Sequence, residues 1–232
     1  RVFNSDRRSI STTICVTNLL VEVFVHFMNI VQLTATLLMG YLIGNISPAY
    51  LLGRSVGNFD IRERGSGNAG ATNVMRLIGW RYGALVFILD MLKGLLSSSL
   101  GFWLAGYPGL AAAAFGVILG HDFPALLNFR GGKGIASTTG IFLCLFPLPT
   151  LAAILLFALV VLQTRMVSVG SLVFVLAMTA YTLITNQPLV LGVLAVAVAV
   201  FALLRHKENI KRILNGVENK ITLGKKPKTE NG

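Results

Sequence analysis

Apolar residues in this chain come mostly in long unbroken runs, separated by short polar or turn-forming segments. Seven runs are candidate spans: 30–53, 82–106, 109–127, 133–147, 149–164, 167–185 and 188–204. Most approach the roughly 20 residues a helix needs to cross the hydrocarbon core of a bilayer. A helix also satisfies its backbone polar groups internally where no water can do so. The pattern predicts an all-α, polytopic membrane protein with seven transmembrane helices. The fourth run is short for a span, and its ends are weakly marked.

Composition agrees. Of 232 residues, 54% are hydrophobic and 12% charged, against roughly 25% charged in an ordinary soluble domain. Lys and Arg number 20 against 9 acids. In a soluble chain that excess would suggest nucleic acid; here its distribution gives another reason. The connections Gly106-Tyr107-Pro108-Gly109, Phe146-Pro147-Leu148-Pro149 and Thr185-Asn186-Gln187-Pro188 carry no charge. Their Pro and Gly predict tight turns between antiparallel helices. The other connections are basic. Residues 54–81 hold Arg54, Arg62, Arg64, Arg76 and Arg81, and residues 128–134 hold Arg130 and Lys133. Arg165 separates the fifth and sixth runs, and eight Lys and Arg from Arg205 to Lys228 follow the seventh. Seven spans put all four basic segments on one side. Positive charge in short loops marks the cytoplasmic side. The expectation is short extracytoplasmic turns, polar cytoplasmic loops and a cytoplasmic C-terminus, with no nucleic-acid partner.

The two ends fit the pattern less well. Segment 12–27 is moderately apolar but contains Asn18, Glu22 and His26, and a charge near the centre of a span costs about 2.5–3.5 kcal/mol on insertion scales. The sequence opens on Arg1, and Met28 stands just before the first clear span. The expected division is an irregular extension over 1–27, a membrane domain over 28–215 and a basic tail over 216–232. The tail is expected to be disordered near anionic headgroups.

Three polar segments fall on the predicted cytoplasmic face. Gly65-Ser66-Gly67-Asn68-Ala69-Gly70-Ala71-Thr72-Asn73-Val74-Met75-Arg76 has glycines that permit tight turns around an anion. Ser66, Asn68, Thr72 and Asn73 add side-chain donors, and Arg76 a charged fork. Composition alone also fits a flexible interfacial loop. The second segment runs from Gly120 through His121 to Gly131-Gly132-Lys133-Gly134, and a helix is expected from Ile135. A glycine turn at a helix N-terminus beside a lysine suits phosphate, and equally fits a lysine snorkelling at a span end. The third is Arg205-His206-Lys207-Glu208-Asn209-Ile210-Lys211-Arg212, read as a helix continuing the last span, with Arg205, Asn209 and Arg212 on one face. A solvated basic flank is the bland alternative.

The remaining candidates are weaker. Asp90 and Lys93 lie one turn apart inside a span, and structural glue is the favoured reading over function. Ser168 follows Arg165 at the start of a span. Cys15 and Cys144 lack metal-ligand spacing to one another or to a histidine, and the three histidines are scattered. No His-Glu-x-x-His helix occurs. The chemistry is expected to use no serine triad, metal or cofactor, and to act on phosphate-bearing molecules.

Segments Gly65–Arg76, Gly120–Gly134 and Arg205–Glu218, in that order, resemble the signature segments of the PlsY family, the membrane glycerol-3-phosphate acyltransferases of bacteria. Gly44-Asn45-Ile46-Ser47-Pro48-Ala49-Tyr50 and Asp60-Ile61-Arg62 fit as well. Arg130 stands where the family usually has lysine, which keeps the charge. The resemblance spans about residues 29–220. It implies seven transmembrane helices in the bacterial inner (plasma) membrane and a site facing the cytoplasm. The implied reaction moves an acyl group from acyl-phosphate to position 1 of glycerol 3-phosphate, releasing lysophosphatidic acid and inorganic phosphate for phospholipid biosynthesis. Carried over by position, Ser66, Asn68, Arg76, Lys133, Gly131 and Gly132 would bind substrate phosphate, and Ser168, His206 and Asn209 would complete the catalytic site. The base would be His206 or the donor's own phosphate. Membrane lipids and the soluble phosphate acyltransferase that makes the donor are the implied partners. A transporter for an organic phosphate is the competing class, but no inverted repeat is visible in the sequence.

Overall fold

The computed structural model describes residues 3–221, with side chains for Glu22 and from Phe24 onward. All regular elements among the described residues are helical. The α-helices are α1 (Phe3–Asn45), α2 (Pro48–Ser55), α3 (Ala71–Leu77), α4 (Trp80–Asp122), α5 (Ile135–Leu145), α6 (Pro147–Thr164), α7 (Val167–Ile184), α8 (Leu189–Arg205) and α9 (Lys207–Leu214). Short 3₁₀ turns cover Ile61–Glu63 and Ala125–Leu127.

Helix α4 is a hairpin. Ala105 (φ −149°, ψ 31°) and Gly106 (φ 58°, ψ −150°) leave the helical region, and Pro108 follows. The positive φ at Gly106 favours glycine. The two arms then run back along each other. Ser97 Oγ donates to Ala113 O at 3.0 Å. A Cβ on Gly101 would stand 2.5 Å from Gly109 O, and one on Gly109 would stand 2.3 Å from Gly101 O. The expected runs 82–106 and 109–127 are these two arms.

Small residues bring the other helices equally close. Gly40 and Gly44 of α1 meet Gly116 and Gly120 of the second α4 arm. A Cβ on Gly40 would lie 2.2 Å from Ala113 O, and one on Gly120 would lie 2.1 Å from Tyr41 O. This spacing of small residues lets backbones approach where hydrophobic exclusion gives little drive. Gly140 of α5 packs in the same way on Met91 of the first arm. The main apolar core gathers Val117, Phe142, Phe174, Met178, Leu191 and Val198 from four helices. Asp90 and Lys93 are buried and paired at 2.8 Å, and Lys93 Nζ donates to Gly44 O (3.2 Å) and Ile46 O (2.6 Å). The ammonium thus satisfies carbonyls at the end of α1, the gluing role favoured from the sequence.

Four stretches are long and apolar enough to cross a membrane by themselves: Phe24–Ser55, Trp80–Leu127, Pro147–Thr164 and Val167–Ile184. A fifth is reached if Leu189–Arg205 and Lys207–Leu214 are taken together across a bend of 60°. Seven were expected. The count is lower because the α4 hairpin is one continuous stretch and α5 has only 11 residues.

Three local readings also change. From Phe3 onward the backbone of the expected extension is helical and part of α1, without an irregular break at residue 27. The last apolar helix does not continue straight through 205–212, because the chain turns at His206. Residues 216–221 are not loose either. Gly216 (φ 71°) reverses the chain, Glu218 is buried, and Ile221 N donates to Arg165 O at 2.8 Å. The rest of the expected tail, 222–232, lies outside the described residues, as does the side chain of Cys15.

Candidate active site

The first polar segment is a loop held in shape from within. Asp60 accepts from Arg62 N and Nε, both at 2.9 Å, and from a guanidinium NH2 at 2.7 Å. Hydrogen bonding from Arg62 brings the Asp60 pKa down to about 2. Arg62 also donates to Leu127 O at 2.5 Å, tying this loop to the 3₁₀ turn within the second segment. Buried Asn73 closes the loop. Its Oδ1 accepts from Ser66 N (3.0 Å), and its Nδ2 donates to Ile61 O and Arg64 O (each 3.0 Å). Asn73 borders the cavity together with Ser66, Asn68, Thr72 and Arg76, but its polar atoms are occupied with backbone.

The second segment is a close-fitting glycine turn. A Cβ on Gly131 would meet His121 O at 2.1 Å, and one on Gly132 would meet His121 Nε2 at 2.0 Å. Gly132 N donates to His121 O at 3.0 Å, so this N–H is already paired. Gly132 O accepts from Arg205 at 2.6 and 3.2 Å. Gly131 O accepts from Ala69 N at 3.4 Å, which joins the first two segments. Gly134 (φ 70°) then opens α5 at Ile135, where the sequence predicted a helix start. Lys133 projects from the turn and donates to Asn209 Oδ1. Burial, and then the charge of Arg212, lower the Lys133 pKa to about 8.

The third segment gains its order from a residue that motif reading passed over. Buried Glu218 accepts from Asn209 Nδ2 (2.6 Å) and Ser168 Oγ (2.8 Å) through Oε1, and from Arg212 Nε (2.8 Å) through Oε2. Burial works to raise its pKa, but the bonds from Asn209, Ser168 and Arg212 outweigh it and hold the group below its ordinary value. A chain of contacts therefore runs from Lys133 through Asn209 and Glu218 to Ser168. Glu218 belongs to the third signature segment, and its acidity among basic neighbours was the available signal. His206 is buried, with Nδ1 2.8 Å from Ala202 O. A carbonyl only accepts, so Nδ1 carries the proton and Nε2 is the acceptor of the neutral ring.

These pieces surround one cavity of about 810 Å³. Ser66, Asn68, Arg76, Gly131, Lys133, Ser168, His206 and Asn209 all line it. Gly132 does not, and shapes the turn instead. One part of the wall is basic, with Arg76, Arg130, Lys133, Arg205 and Arg212, and another is apolar, with Phe87, Ile135, Ile154, Phe157 and Phe174. No group of three or more potential metal ligands occurs among the described residues. The arrangement suits a molecule with anionic and aliphatic parts.

Fold and site together define an integral membrane protein with a cavity that sets a basic wall beside an apolar one. A family model described as glycerol-3-phosphate acyltransferase matches residues 34–216, and the chain belongs to that family. It is 40% identical to a glycerol-3-phosphate acyltransferase of Thermoanaerobacter sp. (strain X514), over 80% of this chain and 94% of the relative. It is 41% identical to glycerol-3-phosphate acyltransferase 2 of Bacillus anthracis, over 80% of this chain and 97% of the relative. The crystal structure of PlsY (YgiH), an integral membrane glycerol 3-phosphate acyltransferase, in its glycerol 3-phosphate form superposes with TM-score 0.78 at 30% identity. That match covers 82% of this chain and 96% of PlsY. The lysophosphatidic acid form of PlsY gives TM-score 0.75.

Proposed function

We propose that this acyltransferase uses acyl-phosphate as donor and acylates position 1 of glycerol 3-phosphate, releasing lysophosphatidic acid and inorganic phosphate. The observation that carries the reading is the single cavity with a basic polar part beside an apolar wall. Two phosphates repel each other, and several Arg and Lys neutralise them together. The aliphatic chain of the donor takes the apolar wall. Ser66, Asn68 and Arg76 hold substrate from one side, and Lys133, set by Asn209, meets phosphate from the other. Ser168 and His206 complete the enclosure.

Acyl-phosphate is a mixed anhydride, so no acyl-enzyme is needed. The position 1 hydroxyl oxygen attacks the acyl carbonyl carbon and forms the ester bond. The bond from that carbon to the phosphate oxygen breaks, and its electron pair leaves with phosphate. The hydroxyl proton passes to the departing phosphate, and His206 bounds the cavity beside the glycerol without taking that proton. Catalysis is then positioning and charge neutralisation, with no cofactor.

The same reading counts the α4 arms separately and α5 as a short crossing, which gives seven spans in the bacterial inner membrane. Exposed Trp80 (69%) and Trp103 (81%) support the first arm as a full crossing. They stand about 35 Å apart along a helix rising 1.5 Å per residue, and tryptophan favours membrane interfaces. The polar cavity and Arg205–Ile221 then face the cytoplasm, where a soluble acyl-phosphate-making enzyme would supply the donor. Purified protein in detergent should form lysophosphatidic acid from acyl-phosphate and glycerol 3-phosphate, and none when acyl-CoA replaces the donor. Equal product from acyl-CoA would overturn the donor assignment.

A further inference from the structure

Asp122 ends α4 beside the glycine turn, and the reaction above gives it no task. It is 0% exposed, and neither carboxylate oxygen receives a hydrogen bond among the described residues. A buried carboxylate in that condition needs a compensating charge. Two features supply it. Arg205 Nε lies 3.5 Å from Oδ2. A Cβ on Gly134 would stand 3.4 Å from Oδ1 and 3.7 Å from Oδ2, so the carboxylate rests against the residue that opens α5. The first N–H groups of a helix carry partial positive charge there.

Arg205 has a second duty. Its NH2 and Nε donate to Gly132 O, its NH2 lies 3.4 Å from Asp122 O, and its guanidinium stacks 4.8 Å from the Phe123 ring centre. Asp122 is its one carboxylate partner among the described residues. The contacts therefore lead from Asp122 to Arg205, to the Gly132 carbonyl, and so to the backbone of Lys133. His121 fills the space against Gly132 that any side chain would take. The turn is thus fixed between His121 and Arg205.

We propose that Asp122 is a positioning residue for glycerol 3-phosphate: its charge keeps Arg205 on the Gly132 carbonyl and so aims the Gly131–Lys133 turn at phosphate. The inference rests on the reading of Lys133 as a phosphate contact. Without the carboxylate, Arg205 has only neutral partners among the described residues, and its partly exposed guanidinium leaves the carbonyl more often. Phosphate is held in ground and transition state alike, so the loss falls on KM and not on kcat.

The test uses the full chain purified in detergent. Asp122→Asn keeps the shape and removes the charge. KM for glycerol 3-phosphate should rise about fivefold or more, with kcat within about twofold of wild type. An unchanged KM, or a fall in kcat alone, overturns the proposal. Arg205→Lys keeps a charge for Asp122 but not the fork that spans to Gly132 O. It should raise KM similarly even if Asp122→Asn folds poorly, and a wild-type KM there also overturns the proposal. Combined, the two changes should cost no more than the worse single change; additive losses would mean the residues act separately. If the wild type makes no lysophosphatidic acid, the reaction assignment fails by itself. Inorganic phosphate then serves as the probe. At one fixed concentration it should raise the Tm of wild type more than that of Asp122→Asn, and equal protection overturns the positioning role.

Discussion

Lys133 stands where burial and a neighbouring guanidinium both oppose its charge, which brings its pKa to about 8 in the unliganded site. A charged Lys133 attracts phosphate below that pH, and a neutral one does not above it. The expected profile is a kcat/KM that falls as pH rises through about 8, since this ratio reports the free enzyme. Lys133→Arg, which does not titrate there, should remove that limb from the profile of whatever activity it retains. Lys133→Ala should abolish measurable turnover in the same assay. His206→Ala should cost less than the roughly 10²–10⁴-fold typical of a lost general base, because the proposed proton acceptor is the donor's phosphate. A loss of about 10²-fold or more would overturn the assignment of the proton to the donor's phosphate alone. Lys133, His206 and Asn209 were legible because they interrupt apolar or basic runs with chemistry those runs do not need. Asn73 was not. Sequence counts donors and acceptors, but only the folded loop shows that Asn73 is occupied with the backbone of Ile61, Arg64 and Ser66. Gly132 likewise read as an anion contact, yet its N–H is paired with His121 O.

The apolar runs identified most helix cores, since a bilayer demands length and low polarity and little else. They said less about how helices touch. The packing task of Gly116 and Gly120 shows only with α1 set against them. Gly116→Leu would drive a side chain into the backbone of Leu37 and Tyr41. It should lower the Tm in detergent by several degrees, a larger effect than the same change at Gly192, where an added Cβ would make only an ordinary contact, 3.5 Å from Leu183. The bend at His206 and the return of 216–221 were also hidden. A basic amphipathic run reads as a helix whether or not it continues the one before it, and a polar tail reads as loose until its buried acid finds partners. Glu218→Gln keeps the shape but removes the charge that Arg212, Asn209 and Ser168 share. It should lower both Tm and activity. For the native carboxylate, whose folded pKa is depressed, the stabilising effect is present above its unfolded pKa and is lost as pH falls through the folded value. Thermal melts across acidic pH should show a drop in wild type that Glu218→Gln lacks.

At the scale of the molecule, charge asymmetry between alternate connections gives a sidedness that the coordinates by themselves do not carry. Single cysteines placed at Tyr107 and at Lys220, in a background lacking Cys15 and Cys144, should label from opposite faces of a sealed vesicle. Labelling of both from the same side would remove the seven-span arrangement. The family relation and the helical membrane class were legible because three polar segments keep their order within an apolar text. The number of crossings was less so, because a helical hairpin counts as one apolar stretch or two according to where the chain is cut.

Glu218 follows the last apolar helix in the chain, yet it fastens Ser168 at the start of α7 and Asn209 within α9. A ribosome-bound chain that has delivered only α1–α7 already carries Ser66, Arg76 and Lys133, but Lys133 has no Asn209 and Ser168 has no Glu218. The anion cradle therefore closes late in translation, after α8 has been threaded. A half-made chain in the membrane would hold the pieces of the site without the contacts that join them.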